Sequence, residues 1–269
     1  MKLEVVTRRI AIIGNGLIGG SIRLALGRLD DPPSVTTLDR GDDLGGVAGA
    51  DLVVLAAPVR QNIEILSQLG ARLSAETIIT DTGSTKRGIA LAAAALPSHL
   101  RFVGGHPMAG AAGSGLVAAR ADLFTGRPWI LTPASGQTTA LEQISAFVTA
   151  LGATPFVMSP NQHDRLIAYV SHLPQLVVSA LMHTVGTEAQ AEGLLVAGTG
   201  LRDSTRLSAS GPGMWRDVVA TNRDHVNAAL DDLIDSLQRM RADAGTDALT
   251  GVFDSAVRWK DCLDGNHRE

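Results

Sequence analysis

Gly14-Asn15-Gly16-Leu17-Ile18-Gly19 follows the apolar run Arg9-Ile10-Ala11-Ile12-Ile13 directly and opens a helical pattern at Leu17. Three glycines at this spacing admit a tight turn and bring backbone close to a ligand, and the helix N–H groups beyond them suit a pyrophosphate. The strand-turn-helix context is what gives an otherwise common pattern its meaning. Asp39 ends the next strand-like run, Val35 to Leu38, twenty residues after Gly19, where an acid hydrogen-bonds ribose hydroxyls. A carboxylate there repels a 2′-phosphate, so NAD is the expected cofactor. Arg40 beside it leaves NADP possible, because a guanidinium can pair with that phosphate. The cofactor set is therefore Gly14, Gly16, Leu17, Ile18, Gly19, Asp39 and Arg40, with Ala57 and Pro58 behind the third strand.

From residue 8 to about 157, short β-branched runs alternate with helical patterns, the signature of a Rossmann-type parallel sheet wrapped by helices. Strands are expected at Arg9–Ile13, Val35–Leu38, Asp51–Ala56, Thr77–Thr80, Phe102–Val103, Trp129–Leu131 and Thr154–Val157, with helices from Leu17 to about Arg28 and from about Thr138 to Leu151. Only eleven residues, Arg40 to Ala50, join the second and third strands. That is near the minimum for a parallel crossover, so the usual helix there is expected to be missing or reduced to one turn.

From Ser159 the pattern is helical only, giving an α/β domain over 1–158 and an all-helical substrate and dimerisation domain over 159–269. Ser159-Pro160-Asn161-Gln162 reads as a capping box with proline at the first helical position. Its helix is expected to reach about Val185, bent near Pro174. Val226, Ala229, Leu230, Leu233, Ile234, Leu237 and Met240 make an apolar stripe at helical spacing. A half with so few loops is expected to bury such stripes against a second copy, as a homodimer.

The 269 residues are 45% apolar, 19% charged and 3% aromatic, so the core rests on Ala, Val, Leu and Ile. A net charge of −4 argues against nucleic acid, which needs a basic face. Cys262 is the only cysteine, which rules out an intramolecular disulfide and a multi-cysteine zinc site, and no metal is expected. Met1 to Ile10 show no signal-peptide pattern. No apolar run approaches the roughly 20 residues of a membrane span. A cytoplasmic protein without membrane partners is the expectation.

Three further segments carry chemistry-bearing side chains. Asp81-Thr82-Gly83-Ser84-Thr85-Lys86 and Gly104-Gly105-His106-Pro107-Met108-Ala109-Gly110 each follow or end a strand, at the sheet edge where open α/β folds bind ligands. Val170-Ser171-His172-Leu173-Pro174-Gln175 lies on the first helix of the second half. With the glycine turn, and with Asp203-Ser204-Thr205-Arg206 and Met214-Trp215 downstream, these segments occur in the order found in prephenate and arogenate dehydrogenases, which the chain resembles over nearly its whole length. No ACT-type regulatory or fused mutase domain is expected, few residues remaining beyond the helical half.

The resemblance implies oxidative decarboxylation of prephenate, a small-molecule dianion, with hydride passing from C4 to NAD, in tyrosine biosynthesis. It gives His106 the proton-accepting role, for which a neutral histidine is suited near physiological pH. It sets Ser84 to orient His106, Arg206 to hold the ring carboxylate, and His172 and Gln175 near the substrate. His163, beside Asp164, reads as structural as easily as functional.

Two departures from the family pattern bear on specificity. Many prephenate-using members carry a histidine where this chain has Gln175, and several carry an acid where it has Ala111-Ala112. Arogenate or 4-amino-4-deoxyprephenate is therefore the alternative substrate. A β-hydroxyacid dehydrogenase would need a lysine on the helical half, and none occurs between Lys86 and Lys260. An inactive NAD-binding dimer is the remaining alternative, one with no chemical use for Ser84, His106 and Arg206 together.

Overall fold

A computed structural model describes residues 8–73, 76–111, 113 and 115–265; Ala112, part of the second departure, lies outside them. Seven strands form one sheet in the order β2-β1-β3-β4-β5-β6-β7. They are β1 Arg9–Ile13, β2 Ser34–Leu38, β3 Leu52–Leu55, β4 Thr77–Asp81, β5 Leu100–Pro107, β6 Pro128–Pro133 and β7 Thr154–Val157. Every expected strand is present, β5 extended at both ends. The sheet is mostly parallel, as expected, with one exception. β6 pairs antiparallel with β5, with His106 opposite Ile130, and β7 follows β6 in parallel. The loop through the short helical turn Leu116–Ala118 returns the chain with no full helix to reverse it, so β6 enters head-to-tail against β5.

Helices α1 Leu17–Leu26, α2 Val59–Leu69, α3 Arg87–Ala93 and α4 Thr138–Ala150 accompany the sheet. Two apolar clusters sandwich it. One joins Ile10, Ile12, Ile22, Leu26 and Val54 to Phe124, Trp129 and Phe147; the other gathers Ile13, Val53, Leu55, Leu66, Leu69 and Ile79. Strands buried on both faces explain the near-continuous apolar runs of β1 and β3. Between β2 and β3 a 3-10 turn, Leu44–Val47, replaces the crossover helix and is capped by Asp43, whose carboxylate accepts the Gly45 N–H at 2.9 Å. The short linker left room for no more.

Beyond β7 come α5 Pro160–Ile167, a π-turn Ala168–His172 and α6 Leu173–Leu194. The capping box forms as read: Ser159 Oγ accepts the Gln162 N–H at 3.2 Å, and Gln162 Oε1 accepts the Ser159 N–H at 3.0 Å. The bend expected near Pro174 takes the form of the π-turn. Proline offers no N–H and its ring crowds the carbonyl four residues back, and widening the turn relieves both. The helix also runs past Val185 to Leu194, breaking at Gln190 with φ 52°. Then follow α7 Thr199–Ser204, a 3-10 turn Arg206–Ala209 and α8 Pro212–Thr221.

By length and composition Pro160–Leu194 is apolar enough to cross a membrane, an exception to the expectation that nothing approaches that span. The expectation counted uninterrupted apolar residues, whereas this helix reaches the mark as an average, with His163, Asp164, His172 and Gln175 buried along it.

The chain divides into two compact units, residues 1–223 and 224–269. The unit with the sheet therefore continues through α8, well beyond the change of pattern at Ser159. Polar bonds account for this: Asp164 on α5 and Asn222 behind α8 both bind Arg87 at the start of α3. The second unit holds most of α9 Arg223–Ala242, then α10 Thr250–Leu263.

Candidate active site

The glycine turn is built for a ligand. Gly14 has φ +108°, and a Cβ there would lie 2.6 Å from the Ala56 carbonyl oxygen; a Cβ on Gly19 would lie 1.9 Å from that of Gly14. Only glycine allows β1, α1 and the β3 loop to close so tightly. Around Gly16, by contrast, nothing lies within 4 Å of a Cβ, and α1 begins with no side-chain cap. Its first N–H groups thus stay available, as a pyrophosphate requires. Asn15 Oδ1 is buried beside them without a partner among the described residues.

Asp39 is exposed at the end of β2. Its N–H donates to Asp42 Oδ2 at 2.8 Å, and its Oδ1 accepts the Arg40 N–H at 2.8 Å, leaving Oδ2 for a ribose. Arg40 is exposed with no carboxylate partner among the described residues. Ala57 and Pro58 are fixed by buried Asn62, whose Oδ1 accepts the Ala57 N–H at 3.2 Å while its Nδ2 donates to the Leu55 carbonyl at 3.3 Å. Leu17 and Ile18 form the first turn of α1.

The second cluster begins at the end of β4. Lys86, 1% exposed, donates through Nζ to Asp81 Oδ2 and to the Gly105 carbonyl, the latter at 2.7 Å. Asp81 also accepts the N–H of Gly83 at 2.7 Å and that of Gly105 at 3.1 Å. These bonds fasten the loop carrying Ser84 to the strand position just before His106. Burial pushes the Lys86 ammonium below its usual range despite Asp81.

His106 faces α5. Its Nδ1 lies 2.8 Å from His163 Nε2, and His163 Nδ1 lies 2.8 Å from Asp164 Oδ1. Asp164 is fully buried. Its Oδ1 accepts the Lys86 N–H at 2.7 Å, and its Oδ2 accepts the Arg87 N–H at 3.0 Å and Arg87 Nε at 3.2 Å. Burial raises its pKa, but the bonds from His163 and from the Arg87 and Lys86 backbone outweigh that and hold it below the usual 3.8.

An ionised Asp164 accepts only, so His163 must donate through Nδ1–H. Burial keeps His163 below 6.5 and hence neutral, even against Asp164, which leaves a lone pair on its Nε2. His106 then donates through Nδ1–H and carries its own lone pair on Nε2. Burial, reinforced by the neighbouring His163, Lys86 and His172, drives His106 well below 6.5. The result is a neutral histidine whose Nε2 is an acceptor.

His172, 1% exposed, comes out opposite. Asn222 Oδ1 accepts from the Arg87 guanidinium at 3.2 Å, and its Nδ2 donates to the Asp164 carbonyl at 2.7 Å. With both partners unambiguous, the amide cannot be reversed. Asn222 Nδ2, 3.4 Å from His172 Nδ1, therefore donates to it. Burial, with His163 adding to it and Asp164 opposing, lowers His172 to about 4. The neutral ring carries its proton on Nε2, a buried donor with no partner among the described residues. The Trp215 ring stands edge-on to it, centroids 6.1 Å apart, with its own Nε1 also buried and unpaired.

Three of the expected site residues sit otherwise than expected. Ser84 is half-buried in the β4–α3 loop, and no hydrogen bond joins it to His106 among the described residues; His163 orients His106 instead. Gln175 is buried and its amide already spent: Nε2 donates to the Leu207 carbonyl at 2.9 Å and to Ser179 Oγ at 3.2 Å, while Oε1 accepts from Ser210 Oγ at 3.3 Å. A direct substrate contact would break one of these bonds. Arg206 is exposed at the head of its 3-10 turn, without a carboxylate partner and unjoined to the histidines among the described residues.

Arg87 and Asn222 were not singled out by sequence, and Asp164 was named only as the neighbour of His163. The available signal was His163-Asp164 side by side in the first turn of a well-capped helix, facing inward.

Comparison with known proteins shows the family. Residues 35–157 match the family described as prephenate dehydrogenase, nucleotide-binding domain, and residues 159–249 match prephenate dehydrogenase, dimerization domain. Prephenate dehydrogenase of Bacillus subtilis is 35% identical over 95% of this chain and 75% of its own length. The structure of prephenate dehydrogenase from Aquifex aeolicus, in complex with hydroxyphenyl propionate and NAD+, superposes with a TM-score of 0.87 at 26% identity, over 97% of this chain and 99% of that one. Synechocystis arogenate dehydrogenase gives 0.81 at 26% identity, over 95% and 99%. With both halves matched in sequence and in fold, the chain belongs to the prephenate dehydrogenase family of oxidoreductases.

Proposed function

We propose that this enzyme oxidises prephenate with NAD, producing 4-hydroxyphenylpyruvate, CO2 and NADH in the synthesis of tyrosine. The observation that carries the reading is the chain Asp164–His163–His106, which leaves His106 Nε2 as a neutral acceptor. NAD fits the open, uncapped start of α1 and the free carboxylate oxygen of Asp39, and when bound it supplies the hydride acceptor.

His106 Nε2 accepts the proton of the C4 hydroxyl as the C4 hydride leaves, and the carbonyl that forms lets the ring carboxylate depart as CO2, giving the aromatic ring. Positive charge arriving on His106 is passed toward Asp164 through His163, a stabilisation present only once the proton moves. His172 Nε2–H and Trp215 Nε1–H offer two buried donors for substrate oxygens. Arg206, exposed and unpaired, supplies a guanidinium for a carboxylate. Ser84 stands on the loop fixed by Lys86 and borders the same sheet edge. A protein that only bound NAD would have no use for so complete a proton path.

Arogenate is the second reading, favoured by Gln175 where many prephenate users have histidine and by the Synechocystis relative. A homodimer is part of the proposal. Residues 159–249 match a dimerization domain, and Ile234 and Leu237 on α9, with Phe253, Val257 and Trp259 on α10, expose apolar area that a second copy would cover.

The test is NAD reduction with prephenate and arogenate side by side, for the wild-type enzyme and His106→Asn. The reading expects turnover of prephenate and a loss in kcat on the order of 10² to 10⁴ in the variant, with KM little changed. A wild-type enzyme that reduces NAD only with arogenate transfers the same mechanism to that substrate, and an active His106→Asn removes it.

A further inference from the structure

Gln175 is a buried amide, 4% exposed, at the first turn of α6. Both of its N–H groups and its oxygen are engaged, and two of the three partners belong to the 3-10 turn Arg206–Ala209: the Leu207 carbonyl inside it and Ser210 Oγ directly after it. The third, Ser179 Oγ, lies one helical turn further along α6 and receives the second N–H. The carbonyl partner can only accept, so the amide cannot be reversed, and it joins α6 to that turn and to the residue that follows it.

The turn's own bonds are local, Ser208 Oγ to the Thr205 carbonyl at 2.7 Å and Thr205 Oγ1 to the Leu201 carbonyl at 2.7 Å, and Leu207 is exposed. Arg206 itself has no anionic partner among the described residues, so nothing on the side-chain side fixes it.

We propose that Gln175 is a positioning residue: its amide clamps the Arg206 turn to α6 and so places the guanidinium for the substrate carboxylate, without touching substrate itself. This rests on the assignment of Arg206 as a carboxylate ligand. It also gives the departure at this position a physical meaning. A histidine at 175 offers at most two ring nitrogens on a rigid plane, and cannot reproduce a clamp with two donors and one acceptor. The residue at 175 therefore sets how the turn is held, and through it how tightly the enzyme captures its anion.

The test is a double-mutant cycle with full-length enzyme, NAD and prephenate or arogenate, whichever it turns over. Gln175→Met keeps the volume and removes the clamp. It is expected to raise KM roughly tenfold to a hundredfold, as an abandoned buried carbonyl implies, with kcat within about threefold of wild type. Arg206→Ala should raise KM at least as much. In the Arg206→Ala background, Gln175→Met should add less than about twofold, because there is no longer a guanidinium to place.

Ser210→Ala, at an exposed residue, loosens the clamp without disturbing the helix and should raise KM about twofold to fivefold. It carries the same test should Gln175→Met fail to fold. Equal factors with and without Arg206 would overturn the positioning role and make Gln175 a direct ligand. An unchanged KM in Arg206→Ala would overturn the Arg206 assignment and this inference with it.

Discussion

The glycine turn behind β1 and the histidine chain beside β5 treat their polar atoms in opposite ways. At the turn, side chains are dispensed with, α1 starts uncapped, and Asp39 stands exposed with one oxygen unused. In the chain, Asp164, His163, Asn222, Lys86 and Asp81 are buried and answer one another bond for bond. What remains free there is one ring nitrogen on His106 and another on His172. A surface left open for a ligand contributes little to stability, whereas a buried network contributes to stability and protonation state together. Changes near the turn should therefore cost binding alone, and changes in the chain should cost fold and catalysis at once.

Asp164→Asn should separate the two regions most sharply. An amide must turn an N–H toward a donor, and the buried charge that Arg87 and His163 answer is gone. Stability should fall by about 3 kcal/mol, the low end for a broken buried pair because Arg87 remains partly in solvent. Activity should fall as well, since His163 loses the acceptor that fixes its tautomer. Urea unfolding and steady-state rates measure both; a variant as stable as wild type would mean that the chain carries no such load.

Acid should act on the same network. His172 has its folded pKa lowered from 6.5 to about 4, and His106 and His163 are lowered too. Above pH 6.5 both folded and unfolded forms are neutral. Below it the unfolded chain takes up protons that the folded chain refuses, so stability is lost as pH falls from 6.5 toward 4. His172 alone accounts for roughly 2 to 3 kcal/mol over that window at about 1.4 kcal/mol per unit. A His172→Gln variant should show a shallower decline in chemical unfolding across the same range, and an equal slope would contradict the burial argument.

The smallest effect belongs to the open region. Asp39→Ala should leave the unfolding free energy within about 0.5 kcal/mol of wild type, as for an exposed side chain. It should lower kcat/KM for NAD about tenfold, the cost of a lost charge-assisted bond to a ribose, and narrow the preference over NADP. A loss of stability as large as that of Asp164→Asn would erase the distinction between the two regions.

The same contrast explains what the sequence could reveal. Gly14 to Gly19 act on one another within six residues, Ser159 and Gln162 within four, and the shortness of Arg40–Ala50 is itself the cause of the missing helix. Such features are local and can be read in order. His163 gains its meaning from His106, 57 positions away, and Asn222 from Asp164, 58 away. No local pattern announces those pairings. The resemblance set Gln175 near the substrate, and only the return of the chain at Leu207 and Ser210 shows which groups its amide binds. The reversal of β6 escaped for a similar reason, since strand direction depends on how the intervening loop crosses the sheet edge rather than on the strand's own residues.

The central claim is that Asp164, through His163, makes His106 an acceptor at Nε2, while Asn222 makes His172 a donor at the same ring position. Long-range 1H–15N correlation spectra of the histidine ring nitrogens, assigned with His106→Asn and His172→Gln, read both tautomers directly in the enzyme at neutral pH. The account predicts opposite patterns: His106 protonated at Nδ1 with a bare Nε2, and His172 protonated at Nε2 with a bare Nδ1. Finding His106 protonated at Nε2, or both rings in the same form, would contradict it.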